Sequence, residues 1–221
     1  MKEQNKSLDK SHHTQLHFKT GWIIVYVVVL LLFLGVGVCA SSFASVNLIT
    51  PVDKSIPLIP EFVWIYISFY GLPLFPIFLR TEDVSIVAGS ISLGLCSIVA
   101  FVLYIAVPVH LESTSLGNSI SEQVLAIIYS LDFRPSANKL PSMHSLIAWT
   151  VLLMYWQRRE LTLFNSLHLL YTILVSASTL FVKQHLLVDV ISAVFLSMAL
   201  WVPSKLIAQA YISSLSIKRT A

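Results

Sequence analysis

Six long apolar segments constrain the fold of this 221-residue chain more than any other feature. A helix needs roughly 20 apolar residues to cross the hydrocarbon core of a bilayer, and most of the six segments approach that length. They cover residues 22–44, 62–79, 84–107, 140–156, 161–182 and 186–208. With 56% hydrophobic and only 11% charged residues, the composition is far from that of a soluble domain. The pattern predicts an all-α, polytopic membrane protein built as a bundle of six transmembrane helices.

The apolar segments leave little chain for a second domain. We expect one integral membrane domain over residues 21–210. Residues 1–20 are polar and of mixed charge, which predicts a disordered cytoplasmic tail. Residues 211–221 are expected to form a short cytoplasmic tail at the C terminus.

The basic residues predict the orientation of the bundle. Ten of the 14 Lys and Arg residues fall on one side of a six-span topology. The four on the other side are Lys54, Arg134, Lys139 and Lys183. Because cytoplasmic loops carry the excess of positive charge, both termini are expected in the cytoplasm and these four cations outside it. The short loops favour a bacterial plasma or inner membrane.

Two histidines lie at the predicted extracytoplasmic ends of apolar segments. His144 begins the fourth segment in Pro-Ser-Met-His, and His185 follows the fifth in His-Leu-Leu-Val-Asp. Ionisable groups in such places are costly to keep and are functional candidates by default. Asp189 comes four residues after His185, so a helix would place both on one face, where the carboxylate can fix the imidazole tautomer. The pattern predicts that His185 is an oriented nucleophile or base and that His144 donates a proton to a leaving group.

Hydrogen-bond donors accompany the two histidines. Five lie within ten residues of His144 or two of His185, namely Arg134, Asn138, Lys139, Ser142 and Lys183. A dianionic phosphate gains charge-assisted hydrogen bonds from such groups. The predicted substrate is therefore a phosphate ester or pyrophosphate of a lipid whose tail stays among membrane lipids. No nucleic-acid partner is expected.

The loop before the fourth segment carries a helix signal. Ser119 followed by Glu122 is typical of a capping box, in which each side chain bonds the other residue's backbone N–H. Apolar residues then recur at helical spacing from Ile120 to Leu131. The segment is predicted to form an amphipathic helix in the membrane interface.

The histidine motifs resemble those of the phosphatidic-acid phosphatase type 2 superfamily. Its second motif, Pro-Ser-Gly-His, matches residues 141–144, with Met143 in place of Gly. Its third motif, Ser-Arg, five residues, His, three residues and Asp, matches residues 178–189, with Thr179 in place of Arg. Six spans with a site on the outer side are also similar to that family.

The resemblance implies roles for individual residues. His185 would attack phosphorus to form a phosphohistidine, Asp189 would orient it, and His144 would protonate the leaving oxygen. No metal or cofactor would be required. Lys183 is expected to take over the phosphate contact of the missing third-motif Arg.

The family's first motif, Lys, six residues and Arg-Pro, is only partly present. Arg134 and Pro135 match its end, but Ile127 occupies the Lys position. Lys139 is therefore an alternative phosphate ligand.

Other functions fit the same residues. Asp53, Pro57 and Pro60, with Asp132 and Asn138, look more like the inositol phosphorylceramide synthase branch, which transfers a head group to an alcohol instead of to water. A phosphotransferase of the same architecture is therefore the second hypothesis. A membrane metal site with His144, His185 and Asp189 as ligands, and an anion transporter with a basic vestibule, are the other two.

Overall fold

The computed structural model describes residues 2–43, 45–79, 81–111, 114–131, 136–156 and 163–220. Their helices are α1 (Lys2–Ala40), α2 (Pro51–Ser55), α3 (Val63–Ser68), α4 (Phe75–Phe78), α5 (Asp83–Ala106), α6 (Ile120–Leu131), α7 (Met143–Tyr155), α8 (Leu163–Phe181) and α9 (Leu187–Thr220). A 3-10 turn at Pro60–Phe62 leads into α3, and another at Phe69–Leu74 joins α3 to α4, so that these elements form one broken helical segment. Two-residue strands β1 (Val109–His110) and β2 (Ser136–Ala137) complete the fold. The chain is therefore almost entirely helical, as predicted.

Five helical segments are long and apolar enough to cross a membrane. They are Thr14–Ala40, Pro60–Phe78, Asp83–Ala106, Leu163–Phe181 and Leu187–Leu215. This finding supports the predicted multi-pass membrane protein. The remaining predicted span, the fourth along the chain, corresponds to α7, whose 13 residues rise only about 20 Å, against roughly 30 Å of hydrocarbon. The six-span count and the side of the termini stay predictions.

Both predicted tails are helical in the structure. Helix α1 begins at Lys2 instead of after a disordered segment over 1–20, and α9 continues to Thr220 through the predicted C-terminal tail. Neither Gly nor Pro precedes Gly21, so no residue in that stretch breaks a helix. Further along α1, Gln15 donates a hydrogen bond to the carbonyl of Thr81 (3.2 Å) and Lys19 donates to that of Ile77 (2.8 Å).

Helix α7 lies inside the bundle, where it packs against α5, α8 and α9. Leu146, Ala148 and Val151 are fully buried there. A helix enclosed by protein does not need the length of a lipid-spanning helix, because its ends lie against other residues. This enclosure is the physical reason that the fourth apolar segment is short.

The interhelical loops meet at one end of the bundle. Strand β1 pairs antiparallel with β2, with Val109 opposite Ala137, and Val46 forms a bridge to Val109. Tyr104, buried in α5, donates a 2.7 Å hydrogen bond to the carbonyl of Pro141. These contacts bring the strip before α7 close to the loop that follows α5.

The predicted capping box of α6 is confirmed. The backbone N–H of Glu122 donates to the Ser119 hydroxyl at 3.3 Å, and the N–H of Ser119 donates to the Glu122 carboxylate at 2.9 Å. Leu125 is buried against α3, whereas Ile127 and Leu131 are largely exposed. The helix therefore has an unpartnered apolar side, which fits its predicted place in the membrane interface.

Close packing of α5 on α7 generates a testable prediction. A Cβ atom on Gly89 would lie 2.5 Å from the Sδ of Met154, whereas one on Gly94 of the same helix would meet nothing within 4 Å. We expect Gly89→Leu to lower the free energy of unfolding by about 1–3 kcal/mol more than Gly94→Leu, because only the first overpacks the helix contact. Thermal unfolding of the two variants in the same detergent measures the difference. Equal losses would contradict this packing.

Candidate active site

The two histidine motifs are joined by backbone hydrogen bonds. The strip before α7 lies against the turn that connects α8 to α9. The N–H of Ser142 donates to the carbonyl of Asp189 at 2.9 Å. The Nδ1 atom of His185 lies 3.1 Å from the carbonyl oxygen of Lys139. Two segments more than 40 residues apart in sequence thus form a single site.

His185 and Asp189 are in contact, as predicted, but not through one helix face. His185 lies in the turn before α9, and Asp189 lies in the first turn of α9. The His185 Nδ1 is 3.3 Å from the Oδ2 of Asp189, which also accepts a 2.8 Å hydrogen bond from the N–H of Leu186. The contact forms because the carboxylate caps the start of α9 and so points back at the turn.

The hydrogen-bond partners of His185 assign its tautomer. Nδ1 faces two acceptors, the carboxylate of Asp189 and the carbonyl of Lys139. Nδ1 must therefore carry the hydrogen, and in the neutral ring Nε2 keeps the lone pair. Such a ring can act as a nucleophile or as a base.

His144 begins α7 and is held among aromatic rings. Its imidazole centroid lies 4.4 Å from that of Tyr66, 4.7 Å from that of Phe69 and 5.9 Å from that of Tyr70. It also lies 6.0 Å from the His185 ring centroid, with the two planes at 64°. Nothing in the spacing of these three aromatic residues links their segment to His144, so the sequence does not predict the contact.

Helix α7 begins with a capping interaction at Ser142. The Ser142 hydroxyl accepts a 3.4 Å hydrogen bond from the N–H of Ser145. The residue was predicted to bind phosphate, but its hydroxyl oxygen serves the helix start and is fully buried. Arg134, the fifth predicted phosphate ligand, lies outside the described residues.

Buried polar groups line a cavity of about 260 Å³ that contains both histidines. Asn138 and Lys139 are 2% exposed, and the Lys139 ammonium donates to the Oε1 of Gln184 at 3.4 Å. Among the described residues, neither amide atom of Asn138 has a hydrogen-bond partner, nor does the Nε2 of Gln184. Buried amide groups without partners are costly, so they indicate a place for a polar ligand. Gln184 is a further residue that the sequence analysis missed.

Apolar side chains form the rest of this cavity. Leu30, Phe33 and Leu34 of α1 line it, together with Ile128 and Leu131 of α6. The polar end of the cavity is thus continuous with a hydrocarbon-like lining. A ligand that is charged at one end and apolar at the other matches this lining.

Lys183 does not line the cavity that contains the two histidines. Its ammonium donates to the carbonyl of Asp53 at 3.2 Å and to that of Ile56, on the side of α2. It lines a second cavity of about 410 Å³, together with Lys54. Of the described residues that line the two cavities, only His185 lines both. The structure thus brings Lys139 and Asn138 to His144 but directs Lys183 to α2.

Asp53 anchors the start of α9. Its Oδ1 accepts a 2.7 Å hydrogen bond from the N–H of Leu187, and its Oδ2 accepts from the N–H of Thr50 at 2.9 Å and from the Thr50 hydroxyl. Burial raises the pKa of this carboxyl, but these hydrogen bonds and the nearby Lys183 ammonium outweigh burial and bring the pKa below its ordinary value. The α2 turn is thereby attached to the turn that carries His185.

One comparison matches part of the chain to a known family. Residues 108–212 match the PAP2 superfamily. The resemblance predicted from the two histidine motifs is thereby confirmed, and the matched region contains His144, His185 and Asp189. Members of this superfamily are phosphatases and phosphotransferases of lipid phosphates, which supports an enzyme of that broad type. No significant match was found among the curated proteins or the solved structures.

The hypothesis of a metal centre finds no geometric support. Among the described residues, no group of three or more His, Cys, Asp or Glu side chains is arranged to hold a metal ion. In particular, His144, His185 and Asp189 do not form such a group.

The lowered pKa of Asp53 predicts a pH-dependent stability. A carboxyl whose folded pKa lies below its unfolded pKa adds stability above the unfolded value, and this contribution is lost as the pH falls through the folded pKa. The unfolded value is near 3.8. We expect the difference in unfolding free energy between wild type and Asp53→Asn to be full near neutral pH and to shrink below about pH 4. Urea unfolding in detergent at several pH values tests this, and a pH-independent difference would contradict it.

Proposed function

We propose that this protein is a membrane-embedded phosphatase that hydrolyses a phosphate monoester or pyrophosphate of a lipid through a phosphohistidine. One observation carries the proposal. The Nδ1 of His185 is held by Asp189 and a backbone carbonyl, while the His144 ring lies 6.0 Å away in the same cavity. The match to the PAP2 superfamily supports the same chemistry.

The first step forms the phosphoenzyme. The Nε2 lone pair of His185 attacks the terminal phosphorus, and the bond from that phosphorus to the leaving oxygen breaks; this oxygen is the ester oxygen of a monoester or the bridging oxygen of a pyrophosphate. His144 donates its proton to that oxygen, so the lipid leaves as an alcohol, or as a lipid monophosphate if the substrate is a pyrophosphate. Asp189 stabilises the positive charge that develops on the His185 ring.

The second step releases phosphate. Neutral His144 accepts a proton from a water molecule, whose oxygen attacks phosphorus as the bond from phosphorus to His185 breaks. The proton restores His144 to its starting form, and inorganic phosphate leaves. His144 thus acts as the general acid in the first step and as the general base in the second.

The polar residues of the cavity are proposed to bind the phosphate of the substrate, and the apolar residues its lipid tail. Lys139, Asn138 and Gln184 are proposed to bind the phosphoryl oxygens, because their buried polar atoms line the same space as both histidines. The apolar side chains from α1 and α6 would contact the lipid tail. From the positive-inside rule, we propose that this site faces the extracytoplasmic side of the cell membrane.

Substitution of single histidines tests the mechanism. We expect His185→Ala to abolish the acid-labile phosphoenzyme and phosphate release, because it removes the nucleophile. His144→Ala should slow phosphate release by about 10²–10⁴-fold, because it removes the general acid. The measurement uses ³²P-labelled lipid phosphates and purified protein with a chelator present.

A third histidine supplies the matched control. His168 is buried among aromatic rings of another part of the bundle and does not line the 260 Å³ cavity. His168→Ala should retain most activity in protein that remains folded. Phosphate release by His185→Ala at the wild-type rate would overturn the proposal.

A phosphotransferase is the second candidate, and the 410 Å³ cavity favours it. That cavity borders His185 from the side of α2 and contains the hydroxyl-bearing residues Thr114 and Ser115, together with Lys54. Hydroxyl and charged groups next to the nucleophile suit a polar alcohol as the acceptor. In that reaction the alcohol oxygen, instead of water, attacks the phosphohistidine, and the phosphate or phospho-head group ends on the acceptor.

The two candidates differ in the fate of the phosphoryl group. If the cavity binds an acceptor, glycerol or inositol added at millimolar concentration should divert label from free phosphate to a phosphorylated alcohol. Thr114→Val should then reduce the diverted fraction without changing total turnover, because it removes a hydroxyl and leaves the histidines intact. If the label appears only as inorganic phosphate at every acceptor concentration, the phosphotransferase candidate is wrong and the hydrolase proposal stands.

A further inference from the structure

The turn that carries His185 is attached to α2 on both sides of the histidine. Two residues before it, the Lys183 ammonium donates to the carbonyls of Asp53 and Ile56. Two residues after it, the N–H of Leu187 donates to the Asp53 carboxylate at 2.7 Å. These contacts, made by Asp53, Ile56, Lys183 and Leu187, are called the α2 clamp below.

The backbone at Lys183 is unusual for a lysine. Helix α8 ends at Phe181, and the N–H groups of Gln184 and His185 both donate to the carbonyl of Thr179. Lys183 has φ +53°, the left-handed conformation that glycine normally supplies at such a helix end. A residue other than glycine in this backbone conformation is a reason to look for a function of its side chain. Here the lysine side chain is the part of the residue that reaches α2.

We propose that Lys183 and Asp53 are positioning residues for His185, not ligands of the substrate phosphate. This inference rests on the proposed function, in which Nε2 of His185 must point at phosphorus. The imidazole is already held at Nδ1 by Asp189 and Lys139, but those bonds fix the ring only relative to α9 and the strip before α7. The α2 clamp fixes the backbone from which the ring projects.

Helix α2 precedes the part of the chain that matches the family. The match to the PAP2 superfamily begins at residue 108, so α2 lies outside the matched region, whereas His185 lies inside it. Thr179 stands where the family's third motif has Arg, and its hydroxyl donates to the carbonyl of Ser176 within α8. The chain therefore holds its nucleophile with a segment that the matched region does not include.

Lys183→Gly is the sharpest variant for the test. Glycine accepts φ +53° without strain, so the variant removes the ammonium while keeping the backbone of the turn. Asp53→Asn removes the charge at the other side of the α2 clamp. Lys205→Ala is the control, because Lys205 lies far along α9 and lines neither cavity.

The primary measurement is single-turnover phosphohistidine formation as a function of lipid phosphate concentration. We expect Lys183→Gly and Asp53→Asn to lower the limiting rate constant by about 10- to 100-fold, because misplaced reacting groups cost that much. The half-saturating concentration should stay within about twofold of wild type, because neither residue touches the substrate. Lys183→Arg should recover part of the rate, and Lys205→Ala should match wild type.

Other outcomes would overturn the proposal. A raised half-saturating concentration with an unchanged rate constant would make Lys183 a phosphate ligand. Wild-type kinetics in Lys183→Gly would leave the clamp without a role in positioning.

A second readout separates this inference from the proposed function. Diethyl pyrocarbonate modifies imidazole rings, and mass spectrometry can follow its reaction at His185, with His168 in the same protein as the reference. We expect Lys183→Gly to change the labelling rate of His185 but not that of His168. If wild type forms no phosphohistidine, the proposed function fails, while an altered labelling rate would still support the clamp. Unchanged labelling would overturn it.

Discussion

The pair of acceptors at Nδ1 of His185 is the interaction on which the rest of the site depends. A buried imidazole needs a partner for its N–H, and here the Asp189 carboxylate and the Lys139 carbonyl both supply one. The two acceptors come from different segments, so the bond that orients the ring also holds the strip before α7 against the start of α9. The hydrogen bond from Ser142 to the carbonyl of Asp189 repeats the connection. Orientation of the ring and docking of the two motifs therefore have the same cause.

The short central helix explains why there is space for a ligand. Helix α7 falls about 10 Å short of the roughly 30 Å hydrocarbon thickness, so the strip over residues 138–142 runs where a longer helix would otherwise continue. Irregular backbone at such a place is tolerated when protein surrounds it or when it lines a cavity. Both conditions hold for Asn138 and Lys139, which are buried and line the cavity with His144. The polar pocket is thus a consequence of how the bundle accommodates α7.

The sequence predicts those parts of the molecule that depend on local pattern. Hydrophobic length located the helices, and the spacing of Ser119 and Glu122 located the start of α6. The contact of His185 with Asp189 followed from a four-residue separation, although its geometry is that of a helix cap. Features that depend on contacts between segments distant in sequence could not be predicted from local pattern. The rings around His144 come from the broken segment before α5, and the direction of Lys183 depends on a left-handed turn that its sequence does not announce. The helical start of α1 was missed because polar composition alone does not distinguish a disordered tail from a polar helix.

The different surroundings of the two histidines support different roles for them. His185 meets a carboxylate and a carbonyl through Nδ1, which fixes one neutral tautomer and leaves Nε2 as a directed lone pair. The neighbours of His144 include aromatic rings, and the Tyr66 ring lies at 4.4 Å with its plane only 33° from that of the imidazole. Aromatic neighbours position the His144 ring by packing contacts, whereas hydrogen bonds orient the ring of His185. A directed lone pair and the proposed proton donor, 6.0 Å apart between ring centroids, are the two groups that displacement at phosphorus requires. The different surroundings of the two rings, more than the presence of two histidines, support His185 as the proposed nucleophile and His144 as the proposed proton donor.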